Sequence, residues 1–388
     1  MRVICIGAGP SGLYLAYRLE TSFTGYMLEV YEKNEYIGGT WFENRYPGCI
    51  CTLTPLSLNG TGQLVILQPE IHGYFSGFAD KHGFRDLFSC NHRVVGANWD
   101  DVSSQWKLRV EDPKKEVFER RCDFLIDGTG YLNSWRWLSI SGLGSFNGRL
   151  LHTANWDGSF AVNWIAGRVD WEWFARSSGI QLLPELQRTA GHGIAFMRRP
   201  TWVIPEMRYK QRRYTDEEKQ TLRDNLRKLL QLRKDIEANY TTLLPLFLKD
   251  TSIHSDVVAL HTNYLESLTK PNVKPVFGNI KEYNTVWRHY ARRQRPLANS
   301  PLIICIEAQE HYIAKFLNRW QKEDIRTFEP KLEAVDDFME QKDLFMKSTI
   351  WENDCRSWFK KRQHRQVSGQ DTQWEEKSSR SGFRKTTY

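Results

Sequence analysis

Nowhere in its 388 residues does the chain present an uncharged apolar run approaching the roughly 18 residues a membrane helix needs, which excludes a helical membrane span. Cysteine is sparse: seven residues, an odd number scattered along the chain, do not make a disulfide framework. Cys49-x-Cys51 has no companion pair, so a metal site is not expected. No motif for RNA or DNA stands out. The first apolar run starts at Arg2, which leaves no room for a signal or transit peptide ahead of it, and a reduced, cytoplasmic setting is the expectation. A net charge of +8 permits acidic ligands such as nucleotides without pointing to nucleic acid. The basic stretch 198–234 has acids interleaved and reads as a solvated helix surface.

What is present is a chain long enough for about two or three domains with a sizeable core. Residues 2–6 form an apolar run, followed by "GAGPSG" and a stretch with Leu13, Ala16, Tyr17 and Leu19 at helical spacing. A second apolar segment, "YMLEVYE", ends at Glu32. This is strand, loop, helix, strand, the opening of a doubly wound sheet. "QWKLRVED" alternates as one arm of a hairpin, and "CDFLIDGTG" reads as a buried strand running into a glycine turn. Residues 215–240 predict one long helix, with Thr215 and Glu218 as a capping box and Leu222, Leu226, Leu229 and Ile236 along one apolar face. The last clear helix is expected over about 307–322, and the polar, basic residues after Lys361 read as disordered.

Gly7-x-Gly9-x-x-Gly12 has three glycines for three reasons: a tight turn, close backbone approach to a pyrophosphate, and packing of helix on strand. The helix that follows offers free N–H groups to an anion. Glu32 lies twenty residues beyond Gly12, where a carboxylate takes both ribose hydroxyls and repels a 2′-phosphate. The motif alone is weak, and a plain structural turn is the alternative. With strand, helix and acid in place, it points to FAD or NAD rather than NADP.

Two further blocks choose between these. "GGTWFENRYPGC" at 38–49 closely resembles the flavin-contacting segment of the flavin-dependent Baeyer–Villiger monooxygenases, within the wider flavin-containing monooxygenase group. "FNGRLLHTANWD" at 146–157 fits that family's fingerprint F-x-G-x-x-x-H-x-x-x-W-(P/D), with Phe146, Gly148, His152, Trp156 and Asp157 in register. The resemblance covers roughly three quarters of the chain in separated blocks. It implies an α/β flavoprotein with two Rossmann-type dinucleotide-binding domains, parallel sheets with helices on both faces, and a second domain that is incomplete. It implies that FAD is held by Gly7, Gly9, Gly12, Glu32, Gly39, Thr40, Trp41, Asn44, Cys51 and Thr52, and by Gly128 and Gly130 of "IDGTG". By its residue type alone His152 reads as a satisfied core or linker histidine. The resemblance makes it, with Trp156, part of the link between flavin and nicotinamide domains.

The family's second Rossmann unit binds NADPH through a loop of the type G-x-G-x-S-G-I-Q. Here Phe174 and Arg176 occupy the two leading glycine positions, and only "SSGIQ" remains at 177–181. A side chain at either place obstructs the turn or the phosphate, although Arg176 is itself a cation that can face one. The resemblance assigns Ser177, Ser178 and Gly179 to NADPH, together with Arg198 and its neighbour Arg199 at the 2′-phosphate. Other departures fall where the family has chemistry. Cys51-Thr52 replaces a Cys-Asp pair, and "DVVALHTN" replaces the segment carrying the arginine that stabilises charge on the activated oxygen. No catalytic residue is therefore assigned. Residues 52–69 and 159–176 are foreign to the family.

The expected partition is a first FAD part at 1–145, the fingerprint linker and start of the NADPH domain at 146–205, and a helical insertion with the rest of that domain at 206–300. A helical return to the FAD domain follows at 301–361, and the tail at 362–388. The resemblance implies an FAD- and NADPH-dependent monooxygenase that inserts one oxygen of O₂ into a ketone, plausibly a polyketide of fungal secondary metabolism. The alternatives are an FAD-binding protein with impaired catalysis, or a truncated product whose foreign stretches arise from errors in the reading of its gene.

Overall fold

The computed structural model describes residues 1–51, 66–130, 135, 137, 143–145, 149–158, 168–173, 177–197, 203–204, 215–232, 234–235, 259–260, 264–277, 289–290, 302–328 and 331–347. Along the chain run β1 (Arg2–Ile6), α1 (Pro10–Ser22), β2 (Met27–Tyr31), α2 (Thr40–Glu43), β3 (Ile50–Cys51), β4 (Ile66–Leu67), α3 (Gln68–Lys81) and β5 (Phe88–Ser89). Next come β6 (Arg93–Asp100), β7 (Gln105–Glu111), β8 (Val117–Cys122), β9 (Phe124–Asp127), β10 (Arg168–Trp173), α4 (Ser177–Thr189), β11 (His192–Met197) and β12 (Val203–Ile204). The remainder are α5 (Asp216–Asp224), β13 (Ala259–Leu260), α6 (Tyr264–Leu268), β14 (Val273–Phe277), β15 (His289–Tyr290), α7 (Leu302–Lys322) and α8 (Leu332–Lys347). The chain forms two compact units: Met1–Gly39, Phe75–Gly130 and Leu302–Tyr388 make unit 1, and Thr40–Tyr74 with Tyr131–Pro301 make unit 2.

Unit 1 is built on a parallel sheet of order β5-β2-β1-β9. Numbered by their order in the chain these strands read 3-2-1-4, the arrangement of a dinucleotide-binding half. Val3, Ile4 and Cys5 in β1 are buried, as are Leu13, Leu15, Ala16 and Leu19 of α1, whose helical spacing lays one face on the sheet. Helix α7 packs against α1. On the other face Ile4 and Tyr31 meet Leu108, Val110 and Cys122 of an antiparallel meander, β6-β7-β8. The alternation of "QWKLRVE" thus marks the middle strand of three. Strand β9 is half-buried rather than buried, because it has only β1 as a described neighbour in the sheet.

Unit 2 repeats the plan. Its sheet has the order β14-β11-β10-β15, every pair parallel, which again reads 3-2-1-4. Strand β10 falls inside the stretch 159–176 that the sequence sets apart as foreign, yet it pairs in register with β11 over all six residues. "RVDWEW" hid it, since a strand flanked on both sides by parallel partners is normally a continuous apolar run. Helix α4 joins β10 to β11, and its Ile180, Leu182, Leu183 and Leu186 form the core with Ala195, Val273, Tyr264, Trp156, Tyr46 and Cys49.

Two helix expectations change. The capping box is present: Glu218 N–H donates to Thr215 Oγ1 at 3.2 Å, and Thr215 N–H to Glu218 Oε2 at 2.9 Å. The helix nevertheless ends at Asp224, where Asn225 leaves helical geometry and its Oδ1 accepts the N–H of Lys228 at 3.0 Å, capping a new helical stretch at 226–232. Leu226 is exposed, so the leucine stripe is not a core face, and Ile236 lies outside the described residues. Beyond α7, which starts five residues earlier than expected, there is a further helix, α8, on which Leu332 and Phe338 are exposed. The tail after Lys361 lies outside the described residues. Among the described residues no helix is long and apolar enough to cross a membrane, and no group of three His, Cys, Asp or Glu side chains is placed to hold a metal.

One buried charge stands out in unit 1. Glu310 of α7 is only 4% exposed, and its Oε2 has no hydrogen-bond partner among the described residues. Burial lifts its carboxyl from 4.5 to about 7. It also adds to the burial that raises the Cys5 thiol and the Tyr14 phenol. A raised carboxyl pKa means that the folded state holds the proton more tightly than the unfolded chain. The stability this confers is complete below about 4.5 and is lost as the pH climbs through about 7, by roughly 3 kcal/mol in all. Glu310→Leu is therefore expected to raise the urea midpoint at about pH 8 far more than at about pH 5 and to flatten the stability profile between them. An equal gain at both pH values would contradict the ionisation argument.

Candidate functional site

In unit 1 the chain leaves β1 at Gly7, whose φ of +106° and N–H bond to Tyr31 O, 2.8 Å, set the turn. A Cβ on Gly7 would lie 2.5 Å from Gly128 O, and one on Gly12 would lie 2.3 Å from Gly7 O. Both positions are closed by the protein's own backbone. Gly9 differs: the nearest atom to its ideal Cβ is Gly39 Cα at 3.6 Å, an ordinary contact. The protein alone would tolerate alanine there. Gly9 is also the N-cap of α1, with no side-chain cap bond, Pro10 follows it, and no acid occupies the first turn. The end of α1 thus carries its partial positive charge with no side chain of its own to neutralise it.

Glu32, just past β2, is 4% exposed. Its Oε2 accepts the N–H of Ala8 at 2.8 Å and its Oε1 that of Asn34 at 2.9 Å. The residue read as a ribose ligand is therefore also the brace of the glycine loop. The Gly38–Gly39 turn folds back on the same loop, with Gly38 N–H donating to Ala8 O at 2.9 Å. At the end of β9, Gly128 N–H bonds Ile6 O at 2.9 Å, and Gly130 takes a positive φ of 69°. Gly7, Gly9, Gly12, Glu32, Gly39 and Gly128 thus gather at the carboxyl ends of β1, β2 and β9, where ligands of such sheets bind.

The other expected flavin residues belong to unit 2. Asn44 Nδ2 donates to Thr40 O and Thr40 Oγ1 at 2.9 and 2.8 Å, closing the short helix α2 on itself. Gln68 Nε2 donates to Trp41 O. Cys51 is in β3, paired with Ile66, while Thr52 lies outside the described residues. Of the fingerprint, Phe146 and Gly148 also lie outside them. His152 is 2% exposed, stacks on Trp135 at 4.7 Å and meets Trp137 edge-on at 5.7 Å. Its Nδ1 lies 3.0 Å from the N–H of Ala154 as acceptor, which puts the proton of the neutral ring on Nε2. Trp156 is buried in the core under α4, and Asp157 pairs with Arg149 at the surface.

Helix α4 begins at Ser177, so Ser177, Ser178 and Gly179 form its first turn, which carries no acid. Ser178 is buried with its Oγ 3.5 Å from Thr153 Oγ1. Phe174, Arg176, Arg198 and Arg199 lie outside the described residues. Sequence reading missed Tyr46 and Gly48, which it placed with the flavin as part of one block. In unit 2 they lie against α4: Tyr46 Oη donates to Gln181 Oε1 at 2.7 Å, and Gly48 has a φ of +73°. Pro47-Gly48 was the available signal, since a Pro-Gly pair marks a turn whose glycine needs positive φ.

Comparison with known proteins agrees with this geometry. The NAD(P)-binding Rossmann-like domain family matches residues 5–66. The FAD-binding monooxygenase tazF of Aspergillus terreus is 28% identical over 93% of this chain and 83% of its own length. Cyclohexanone monooxygenase from Rhodococcus sp. Phi1, solved bound to NADP+, superposes with a TM-score of 0.75 at 18% identity, over 92% of this chain and 91% of that one. OTEMO, solved in complex with FAD and NADP, gives 0.74 at 19% identity, over 90% and 91%. With a glycine loop in the first of two sheets of the same strand order, the chain is similar along nearly its whole length to a fungal FAD-binding monooxygenase, and it shares its two-dinucleotide-domain fold with the solved cyclohexanone monooxygenase and OTEMO.

Proposed function

We propose that this protein is an FAD- and NADPH-dependent monooxygenase acting on a ketone. The observation that carries the reading is the contrast within the first loop. Gly7 and Gly12 are required by the fold itself, whereas a Cβ on Gly9 would meet only an ordinary contact among the described residues, Gly39 Cα at 3.6 Å, beside a helix end with no side-chain cap. A glycine that the protein does not need for its own packing is explained by a ligand lying against it. The pyrophosphate of FAD belongs there, with its ribose on Glu32. NADPH belongs at the first turn of α4, on Ser177, Ser178 and Gly179, with Arg198 and Arg199 for the 2′-phosphate.

Bound FAD, reduced by NADPH, supplies the activation of O₂. The chain's part is to bind, orient and keep water away. One oxygen atom of O₂ enters the ketone to give an ester or lactone and the other leaves as water, whose two hydrogens come from the hydride of NADPH, which also carries the two electrons, and from one solvent proton, so that NADP+ is the only other product. The likeness to fungal FAD-binding monooxygenases supports a polyketide ketone of secondary metabolism as substrate.

A second reading, an FAD-binding protein with little turnover, is favoured by departures at three places: Thr52 for the family's acid, Phe174 and Arg176 for the loop glycines, and "DVVALHTN" for the segment with the family's arginine. Each such loss costs roughly tenfold to a thousandfold where a preorganised charge or donor is removed, and losses within one working unit do not simply multiply.

Gly9→Ala is expected to fold with an unchanged melting temperature for the flavin-free protein yet to lose its flavin absorbance, whereas Gly12→Ala destabilises the flavin-free protein itself. Retention of flavin by Gly9→Ala would remove the main support for the site. Restoring the second loop with Phe174→Gly and Arg176→Gly is expected to tighten NADPH binding in a titration. Unchanged affinity would mean that these side chains are not the obstacle. Incubation with FAD, NADPH, O₂ and a panel of aryl and polyketide ketones decides between the readings. Ester or lactone well above background supports the working enzyme, and tight FAD with product only at background supports the second reading.

A further inference from the structure

Tyr46 and Gly48 belong to the turn that ends the block 38–49, and in unit 2 this turn is wedged against α4. Tyr46 is 5% exposed and Gln181 8%, so the 2.7 Å bond between them is shielded from water. A Cβ on Gly48 would lie 2.6 Å from Gln181 O and 2.8 Å from Glu185 Cγ, so the backbone of the turn lies directly on the helix. The turn is itself fixed, because Cys49 N–H bonds Tyr46 O at 3.1 Å and Gln68 N–H bonds Cys49 O at 3.0 Å. Gln181 is the fifth residue of α4, one helical turn beyond Ser177 and Ser178.

The choice of a hydrogen-bonded pair here needs a reason. Leucine and phenylalanine would fill similar volume among Ile180, Leu183 and Trp156. A buried hydrogen bond adds only about 1 kcal/mol net to stability, and apolar replacement of both partners is close to neutral. What it adds over apolar packing is direction. It penalises rotation or sliding of α4, which apolar contacts alone resist less sharply. In the first unit a glycine loop closes around the helix end. In the second, the sequence has Phe174 and Arg176 at the two leading glycine positions, which leaves more of an anion's binding to the N–H groups of the first turn of α4.

We infer that Tyr46 and Gln181 are positioning residues for the nicotinamide cofactor: their bond sets the rotation and height of α4 so that the N–H groups of its first turn meet the pyrophosphate. This rests on the assignment of NADPH to α4. Neither side chain is proposed to touch the cofactor.

The test uses flavin-loaded full-length protein, with NADP+ and NADPH as the ligands. Tyr46→Phe and Gln181→Leu, singly and together, are titrated for affinity, and anaerobic stopped flow gives the rate of flavin reduction against NADPH concentration. Each single variant is expected to weaken binding roughly threefold to tenfold, the range one lost hydrogen bond spans. The double variant is expected to lose less than the sum of the two singles, because both changes remove the same Tyr46–Gln181 bond. The loss should appear in KM, with the limiting reduction rate and flavin content preserved. Gln181→Met severs the same bond and takes the place of a single variant that does not fold. Unchanged affinity in both singles overturns the inference, as do additive losses that track a falling melting temperature. Wild-type protein that holds FAD but binds neither nicotinamide ligand overturns the assignment of NADPH to α4 instead.

Discussion

The first unit depends on a crossing of backbone on backbone. For β1 to turn into α1 and for α1 to lie on the sheet, the carbonyl of Gly7 must pass where a side chain on residue 12 would begin, at 2.3 Å. Gly7 must in turn pass the carbonyl of Gly128 at the end of β9. Strand order, helix placement and the position of Glu32 follow from that approach, since Glu32 holds Ala8 in the same turn. Gly9 is the member of the trio whose Cβ would meet, among the described residues, no atom closer than 3.6 Å.

The second unit has the same strand order, and its helix packs on the Tyr46–Cys49 turn and on the buried fingerprint tryptophan. Hydrophobic burial supplies most of the driving force around Ile180 and Leu183, and the few polar bonds there fix orientation.

The parts of this design legible in the sequence were those where local and tertiary demands agree. The glycine trio, the buried leucines and alanine of α1, the alternation of β7 and the capping box at Thr215 each have a short-range physical cause. Strand β10 was not legible, because its charged and tryptophan-rich text gives the wrong burial pattern for its place in the sheet. The break at Asn225 was missed because a periodic leucine stripe outweighed one residue whose side chain caps helices better than it continues them. For the site, sequence supplied residue identities but not division of labour. Tyr46 and Gly48 sit within a flavin-like block yet pack under the other helix, and only three-dimensional proximity separates those roles.

Glu32 ties two properties of the molecule together. Its carboxylate holds the backbone at Ala8 and Asn34 and stands at the strand end where a ribose is expected. Exchanging this acid is the direct way to alter which ribose the first unit accepts. In this chain such an exchange also unhooks both anchors of the loop, so preference and local folding cannot be changed independently. A redesigned binding pocket would have to bring its own acceptors for those two amides, and natural drift at this position is constrained in the same way.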